Sequence, residues 1–374
     1  MNLLEYLDRY GSYTFDDLAF NEVDNLVFAE LAYVKMDGVV GADSNRALTI
    51  SQMAEIILAQ VDPDAPRPLI NDPLPLLKKT AVVPRFKNVL CCFYQSTFDE
   101  EEHTQFSAVT FLYSRNEAYI AYRGTDDTIV GWREDFNLTF LDETPGQRLA
   151  VAYLEDVARQ TNGRLTLGGH SKGGNLAVYA AAFCDSSIRD DRIVRVYSND
   201  GPGFRPEVAQ REGYLAVRDK IVKFIPDSSI VGVLLVDVEE HRYIRSSAKS
   251  LAQHDPFTWS IVDTHFEEAE SRAPLSVFLS DTLSRWLSSL EDDKRRTMVN
   301  VFFDYLSADG AQKMDNINLN PLAAYRAFSK AVAEADEDSR AEIQQMVKQL
   351  IATGIDVMRS GGKKEIPPAD DTNE

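Results

Sequence analysis

Apolar positions between residues 20 and 36 recur at helical spacing, with Leu26, Val27, Leu31 and Val34 on one face, and predict a helix. The texture changes near residue 87. Stretches 87–94, 105–113 and 118–123 are short runs rich in Val, Ile, Phe and Tyr, and they predict strands. Ser114-Arg115-Asn116 separates the second from the third and suits a hairpin. Beyond them helix and strand alternate: helix over 146–160, strand 164–167, helix 172–183, strand 192–197, short helix 206–211, strand 220–225. Alternation at this spacing predicts a mostly parallel sheet covered by helices on both faces, made mixed by the leading hairpin. From Pro274 the pattern is helical throughout. Leu275, Leu279, Leu283, Trp286, Leu287 and Leu290 mark one face, Val299, Phe302, Phe303 and Leu306 a second, and Ile343, Met346, Val347, Leu350 and Ile351 a third.

These patterns divide the chain into a helical and irregular segment over residues 1–85 packing on the core, an α/β core over 86–273, and a helical region over 274–360. A polar tail over 361–374 is expected to be disordered. The stretch 61–84 holds Pro63, Pro66, Pro68, Pro73, Pro75 and Pro84, and reads as an irregular loop or short insertion. The helical region is either an appendage packed on the sheet or a surface for a protein partner or self-association.

Composition narrows the function classes. Lysine and arginine total 39 against 59 acidic residues, a formal net charge of −20, which repels phosphate backbones and anionic membranes. Cys91, Cys92 and Cys184 show no zinc-type spacing, so reduced, buried thiols are expected, with neither metal nor cofactor. The first ten residues lack the basic-then-apolar pattern of a secretory signal, and no apolar run approaches the ~20 residues of a membrane span. A soluble, cytoplasmic protein is expected.

The stretch Leu165-Thr166-Leu167-Gly168-Gly169-His170-Ser171-Lys172-Gly173-Gly174-Asn175 carries the chemistry. It holds Gly-x-Ser-x-Gly between a predicted strand and a predicted helix. A nucleophilic serine at such a turn adopts a strained backbone, and the residues two before and two after it approach each other. Gly169 and Gly173 meet that steric demand. The following helix aims its N-terminal dipole at the reacting oxygen.

A serine nucleophile needs a histidine base oriented by a carboxylate, in the chain order Ser, acid, His for this elbow. The acid is expected just past the second strand after the elbow, at Asp227. Asp200, before Gly201-Pro202-Gly203, is the rival, though its setting also suits a turn-forming aspartate. Of the five histidines, His103 lies in an acidic surface segment, and His170 lies inside the elbow, where a turn-supporting role is expected. His265 reads as part of an amphipathic helix, and His241, among Glu239, Glu240 and Arg242, as a solvated residue at a hairpin end. His254, in the loop-like Gln253-His254-Asp255-Pro256, is favoured as base, with His241 as the alternative.

At this point the chain resembles the class 3 lipases, α/β-hydrolases. The residues that carry the resemblance are Ala118-Tyr119-Ile120-Ala121-Tyr122-Arg123-Gly124-Thr125, then Gly131-Trp132-Arg133-Glu134-Asp135-Phe136, then the elbow. Residues 15–265 resemble more closely an uncharacterised bacterial branch of that group, through Asn21-Glu22-Val23-Asp24-Asn25-Leu26-Val27-Phe28 and Gln253-His254-Asp255-Pro256-Phe257-Thr258-Trp259. The second of these supports His254. The resemblance implies an oxyanion hole from the backbone N–H groups of Thr125 and Lys172. It also implies a lid in the segment holding Ile129, Val130, Trp132, Phe136, Leu138 and Phe140, for which ordinary core packing is the alternative. Lys172 replaces the more usual apolar residue after the serine, and an anionic group near the scissile bond is one expectation for its charge.

The expected fold is therefore α/β-hydrolase-like, a mixed, mostly parallel sheet flanked by helices with a helical C-terminal appendage. The expected activity is cleavage of acyl esters, lipase- or esterase-like, by Ser171, His254 and Asp227 through an acyl-enzyme. A non-catalytic scaffold that keeps the fold, and an acyltransferase or thioesterase using the same triad, are the alternatives.

Overall fold

The structure is a computed structural model that describes residues 1–62, 72–126, 128–237, 239–308 and 321–360. One sheet runs in chain order: β1 Leu48–Thr49, β2 Leu90–Asp99, β3 Thr104–Ser114, β4 Glu117–Tyr122, β5 Arg164–His170, β6 Ile193–Asn199, β7 Ile221–Pro226 and β8 His241–Ile244. From β1 to β4 neighbours are antiparallel, and from β4 to β8 they are parallel. Short turns join β2 to β3 and β3 to β4, whereas parallel neighbours need long crossovers. The fold is thus the mixed, mostly parallel sheet that the alternation of strands and helices predicted.

Helices α1 Leu3–Tyr10, α2 Glu22–Leu31, α3 Ile50–Gln60, α4 Leu74–Thr80 and α5 Pro84–Lys87 precede or interleave with the first strands. Then come α6 Ile129–Asn137, α7 Pro145–Gln160, α8 Lys172–Phe183, α9 Pro206–Ala209 and α10 Glu212–Val217. The C-terminal helices are α11 Pro274–Ser288, α12 Asp292–Ala308, α13 Pro321–Glu334 and α14 Glu337–Ser360. Among the described residues no helix is long and apolar enough to cross a membrane.

Alternation along β4 shows how the sheet is covered on both faces. Tyr119 and Ala121 point into a core shared with Val27 and Phe28 of α2, while Ala118, Ile120 and Tyr122 join Leu154 of α7 and Leu176 of α8 on the other side. The N-terminal layer is pinned by a fully buried pair, Arg85 with Asp24, and Arg85 also donates to the carbonyls of Thr14, Leu18 and Ala19. Helix α2 starts where Asn21 accepts from the Val23 and Asp24 N–H groups and Asp24 accepts from the Asn21 N–H, a capping box.

Three local expectations change. The second half of the proline-rich stretch is helical, because Pro75 and Pro84 stand in first turns, where no intrahelical N–H is needed; residues 63–71 lie outside the described residues, as does the tail 361–374. His265 lies in a two-residue strand pairing Ile261–Val262, not in a helix, because Ile261 and Phe266 turn inward onto the core beside Trp259. His241 starts the edge strand β8 and not a hairpin end, since β8 runs parallel to β7.

Candidate active site

The elbow has the strand–turn–helix setting that its glycines demand. Strand β5 ends at His170, α8 begins at Lys172, and Ser171 between them has φ 56° and ψ −132°. A positive φ in a residue with a side chain is strained. A Cβ on Gly169 would lie 2.4 Å from the Gly173 carbonyl carbon, and one on Gly173 would lie 2.1 Å from the Tyr122 oxygen. The Ser171 N–H donates to the Asn199 carbonyl at 2.9 Å, and the Asn199 amide donates to the Gly169 carbonyl and is tied to Asn25 of α2. The chain leaving β4 passes close over the turn: a Cβ on Gly124 would stand 3.2 Å from Ser171 Cβ. Thr125 is the next residue of that chain.

His254 ends a short 3-10 helix, Ser250–His254, and its Nδ1 lies 2.6 Å from Asp200 Oδ2. The Asp200 carboxylate is fully buried and also accepts from the Ser229 hydroxyl at 2.8 Å and the Gly232 N–H at 3.1 Å. The expected acid, Asp227, is not the partner. Its carboxylate accepts from the Ser228 hydroxyl and from Gln253 Nε2, one residue before the histidine. The reason is lateral: β6 is hydrogen-bonded directly to β5, so Asp200, next after β6, emerges beside the elbow, whereas Asp227 follows β7, one strand further away. His241 is drawn elsewhere. Its Nε2 lies 3.2 Å from Asp237, a buried carboxylate that Lys223 holds at 2.6 Å.

The Thr125 hydroxyl donates to Asp135 Oδ2 at 2.6 Å. Asp135 sits half-buried on α6, and desolvation of its carboxyl pushes it up to about 6 against the opposing pull of the Lys172 charge and the Thr125 hydroxyl. The backbone N–H of Lys172 belongs to the first turn of α8 and so has no partner within that helix. Its side chain offers nothing to an anionic substrate. The ammonium is buried and donates to Glu134 Oε2 at 2.7 Å and to the Gln105 carbonyl at 2.7 Å, which overturns that expectation. Glu134 in turn accepts from the Gly146 and Gln105 N–H groups. Nothing in the spacing of the 131–136 motif marks Glu134 for this role, although a lysine in the first turn of a buried helix demands a carboxylate. In the segment after Thr125, Ile129, Leu138 and Phe140 are buried, while Phe136 is 39 % exposed.

Among solved structures the chain is similar to the M37 lipase at 14% identity, covering 56% of this chain and 67% of that one with a TM-score of 0.35. It is similar to the lipase–propeptide complex of Rhizomucor miehei at 17% identity, covering 51% and 72% with a TM-score of 0.34. It is similar also to an MDLA mutant of Penicillium cyclopium at 14% identity, covering 66% and 84% with a TM-score of 0.38. No curated protein matches it in sequence. Residues 80–304 match the family model described as Mbeg1-like. That span is more than half of the chain and takes in the sheet from β2 onward, the elbow, Asp200, His254 and α6, so the chain belongs to the Mbeg1-like family.

Proposed function

We propose that this protein is a serine hydrolase of carboxylic esters, lipase- or esterase-like, that works through an acyl-enzyme on Ser171. The observation that carries the reading is the strained Ser171 turn at the C-terminal end of β5, where Asp200 holds His254. The Ser171 hydroxyl attacks the ester carbonyl while His254 Nε2 takes its proton. Nδ1–H stays bound to Asp200, which orients the ring and steadies its positive charge. The oxyanion is received by the N–H groups of Thr125 and Lys172, donors of a kind worth about 3 kcal/mol each in comparable sites. Asp135 fixes the Thr125 side chain through its hydroxyl. The proton on His254 then passes to the leaving alcohol, and water repeats the sequence on the acyl-enzyme.

The substrate in this reading is a lipid-like or other acyl ester met in the cytoplasm, a placement supported by the three buried free thiols. A fluorophosphonate probe tests the chemistry, because phosphonylation requires an activated serine. Labelling at Ser171 and hydrolysis of short acyl esters, both lost in Ser171→Ala, are expected. A folded chain that leaves Ser171 unlabelled, or equal esterase activity in Ser171→Ala, overturns the reading.

A further inference from the structure

Behind Ser171 and His254 lie buried titratable groups with no part in these steps. Glu30, in the last turn of α2, is fully buried, and neither of its carboxyl oxygens has a hydrogen-bond partner among the described residues. Its Oε1 lies 3.4 Å from Nδ1 of His170, the residue before the serine. The same Nδ1 lies 3.1 Å from the Tyr33 hydroxyl. Across the ring, Nε2 lies 2.9 Å from the backbone carbonyl of His254. The two imidazole rings are 4.6 Å apart between centroids. A buried carboxyl without hydrogen bonds costs the fold free energy, so its presence asks for a compensating role.

Proton bookkeeping assigns the states. A carbonyl only accepts, so His170 Nε2 carries hydrogen. A neutral ring then has a bare Nδ1, which accepts from Tyr33 and faces Glu30. The titratable groups around Glu30 include His170, Tyr33, Tyr119 and Asp255. Burial, with the Asp255 charge added, pushes the Glu30 carboxyl well above the usual carboxylate range. Burial and the proximity of His254 push His170 well below the usual imidazole range. Both shifts favour the uncharged forms. An ionised Glu30 would draw a proton onto His170 and set a cation beside a ring that must itself become cationic during the reaction.

We propose that Glu30 and His170 are positioning residues for the base: Glu30 and Tyr33 hold His170 as its Nε2–H tautomer, and that N–H fixes the His254 carbonyl and hence the angle of the His254 ring toward Ser171. The proposal rests on the hydrolase reading of Ser171. A protonated Glu30 oxygen, 3.4 Å from Nδ1, shares with the Tyr33 hydroxyl the one lone pair that this nitrogen offers.

Two-bond proton–nitrogen correlation spectra of the full chain carrying 15N-histidine report which ring nitrogen bears hydrogen. A neutral His170 with hydrogen on Nε2 at pH 7 is expected; hydrogen on Nδ1, or an imidazolium, overturns the proposal whether or not the chain hydrolyses anything. Kinetics give the second arm. His170→Phe removes the donor and should lower kcat on a short acyl ester about 30-fold with KM nearly unchanged. His170→Gln, whose Nε2 reaches the same carbonyl, should recover most of it. Glu30→Leu should lose about fivefold in kcat, and Glu30→Gln, a permanently neutral donor, should regain it. Parent-like kcat in both His170→Phe and Glu30→Leu overturns the proposal. An unaltered chain that the fluorophosphonate fails to label strikes the hydrolase reading instead, and the tautomer result still stands.

Discussion

The two helical layers outside the α/β core are fastened to it in opposite ways. In the N-terminal layer Asp24, Asn25, Glu30 and Arg85 are all buried, and Phe15, Phe20 and Phe28 pack against Tyr113 and Tyr119 of the sheet. Its polar groups reach the elbow itself, through Asn25 to Asn199 and Tyr33 to His170. The C-terminal layer meets the core where α12 packs on α6, with Phe303 in one cluster with Ile129 and Phe140. Polar ties such as Ser276 to the Ser229 carbonyl supplement that contact. The contrast teaches that the first layer is the back wall of the candidate site, whereas the second leans on the helix that carries Asp135. Damage to the first should be felt by the whole fold, and damage where α12 meets α6 chiefly on the Thr125 side.

The sharpest way to break this contrast is Arg85→Ala, which leaves Asp24 buried without its cation. A loss of about 3–5 kcal/mol is expected, read as one cooperative shift of the denaturant midpoint. A loss under about 1 kcal/mol would show that aromatic packing alone holds this layer. Next comes Phe303→Ala, a fully buried ring, with an expected cost of about 3–4 kcal/mol. Hydrogen exchange should place that loss in α6 and α12 and leave β4, β5 and α8 protected. Equal deprotection of β5 would erase the difference between the layers.

How much of this was legible in the sequence follows from how local each cause is. The turn at Ser171 is set by contacts among Gly169, Gly173 and the Tyr122 carbonyl, so its motif and flanking periodicity sufficed. The choice between Asp200 and Asp227 was not local. Both follow strands, and only the lateral order of β5, β6 and β7 decides which one meets His254. The burial of Lys172 against Glu134 likewise depends on α6 folding back onto α8, a contact between residues 38 positions apart that no periodicity announces. Two-residue strands such as His265–Phe266 are too short for any alternation to show.

A third effect, up to about 3 kcal/mol, separates the two attachments by pH. In the fold the Asp135 carboxyl is raised to about 6 from 3.8, so its protonated form is favoured there. Between those values the folded chain binds more protons than the unfolded one, and stability falls as pH rises through the window. Asp135→Asn removes this cost and keeps an amide oxygen for the Thr125 hydroxyl. The variant should match the parent near pH 4 and exceed it at pH 8. A stability difference that is the same at both pH values would show that the carboxyl does not titrate in this window.

The smallest effect is expected at the polar tie between α6 and α12. Arg133 Nη1 donates to Asp304 Oδ1 at 2.6 Å, but the aspartate is 66% exposed. Water screens such a pair, and ordering two side chains cancels part of its attraction, so Asp304→Ala should cost about 0.2–1 kcal/mol, less in high salt. Arg133 keeps a second partner in the variant, the Asn300 side chain at 2.8 Å, so its charge is not stranded. Comparing denaturant midpoints at low and high salt measures the term. A cost above about 2 kcal/mol that salt removes would mean that charge, and not the Phe303 cluster, holds the C-terminal layer to α6. In that case Phe303→Ala should also deprotect α6 far less than proposed, because the electrostatic tie would keep the two helices together without the ring.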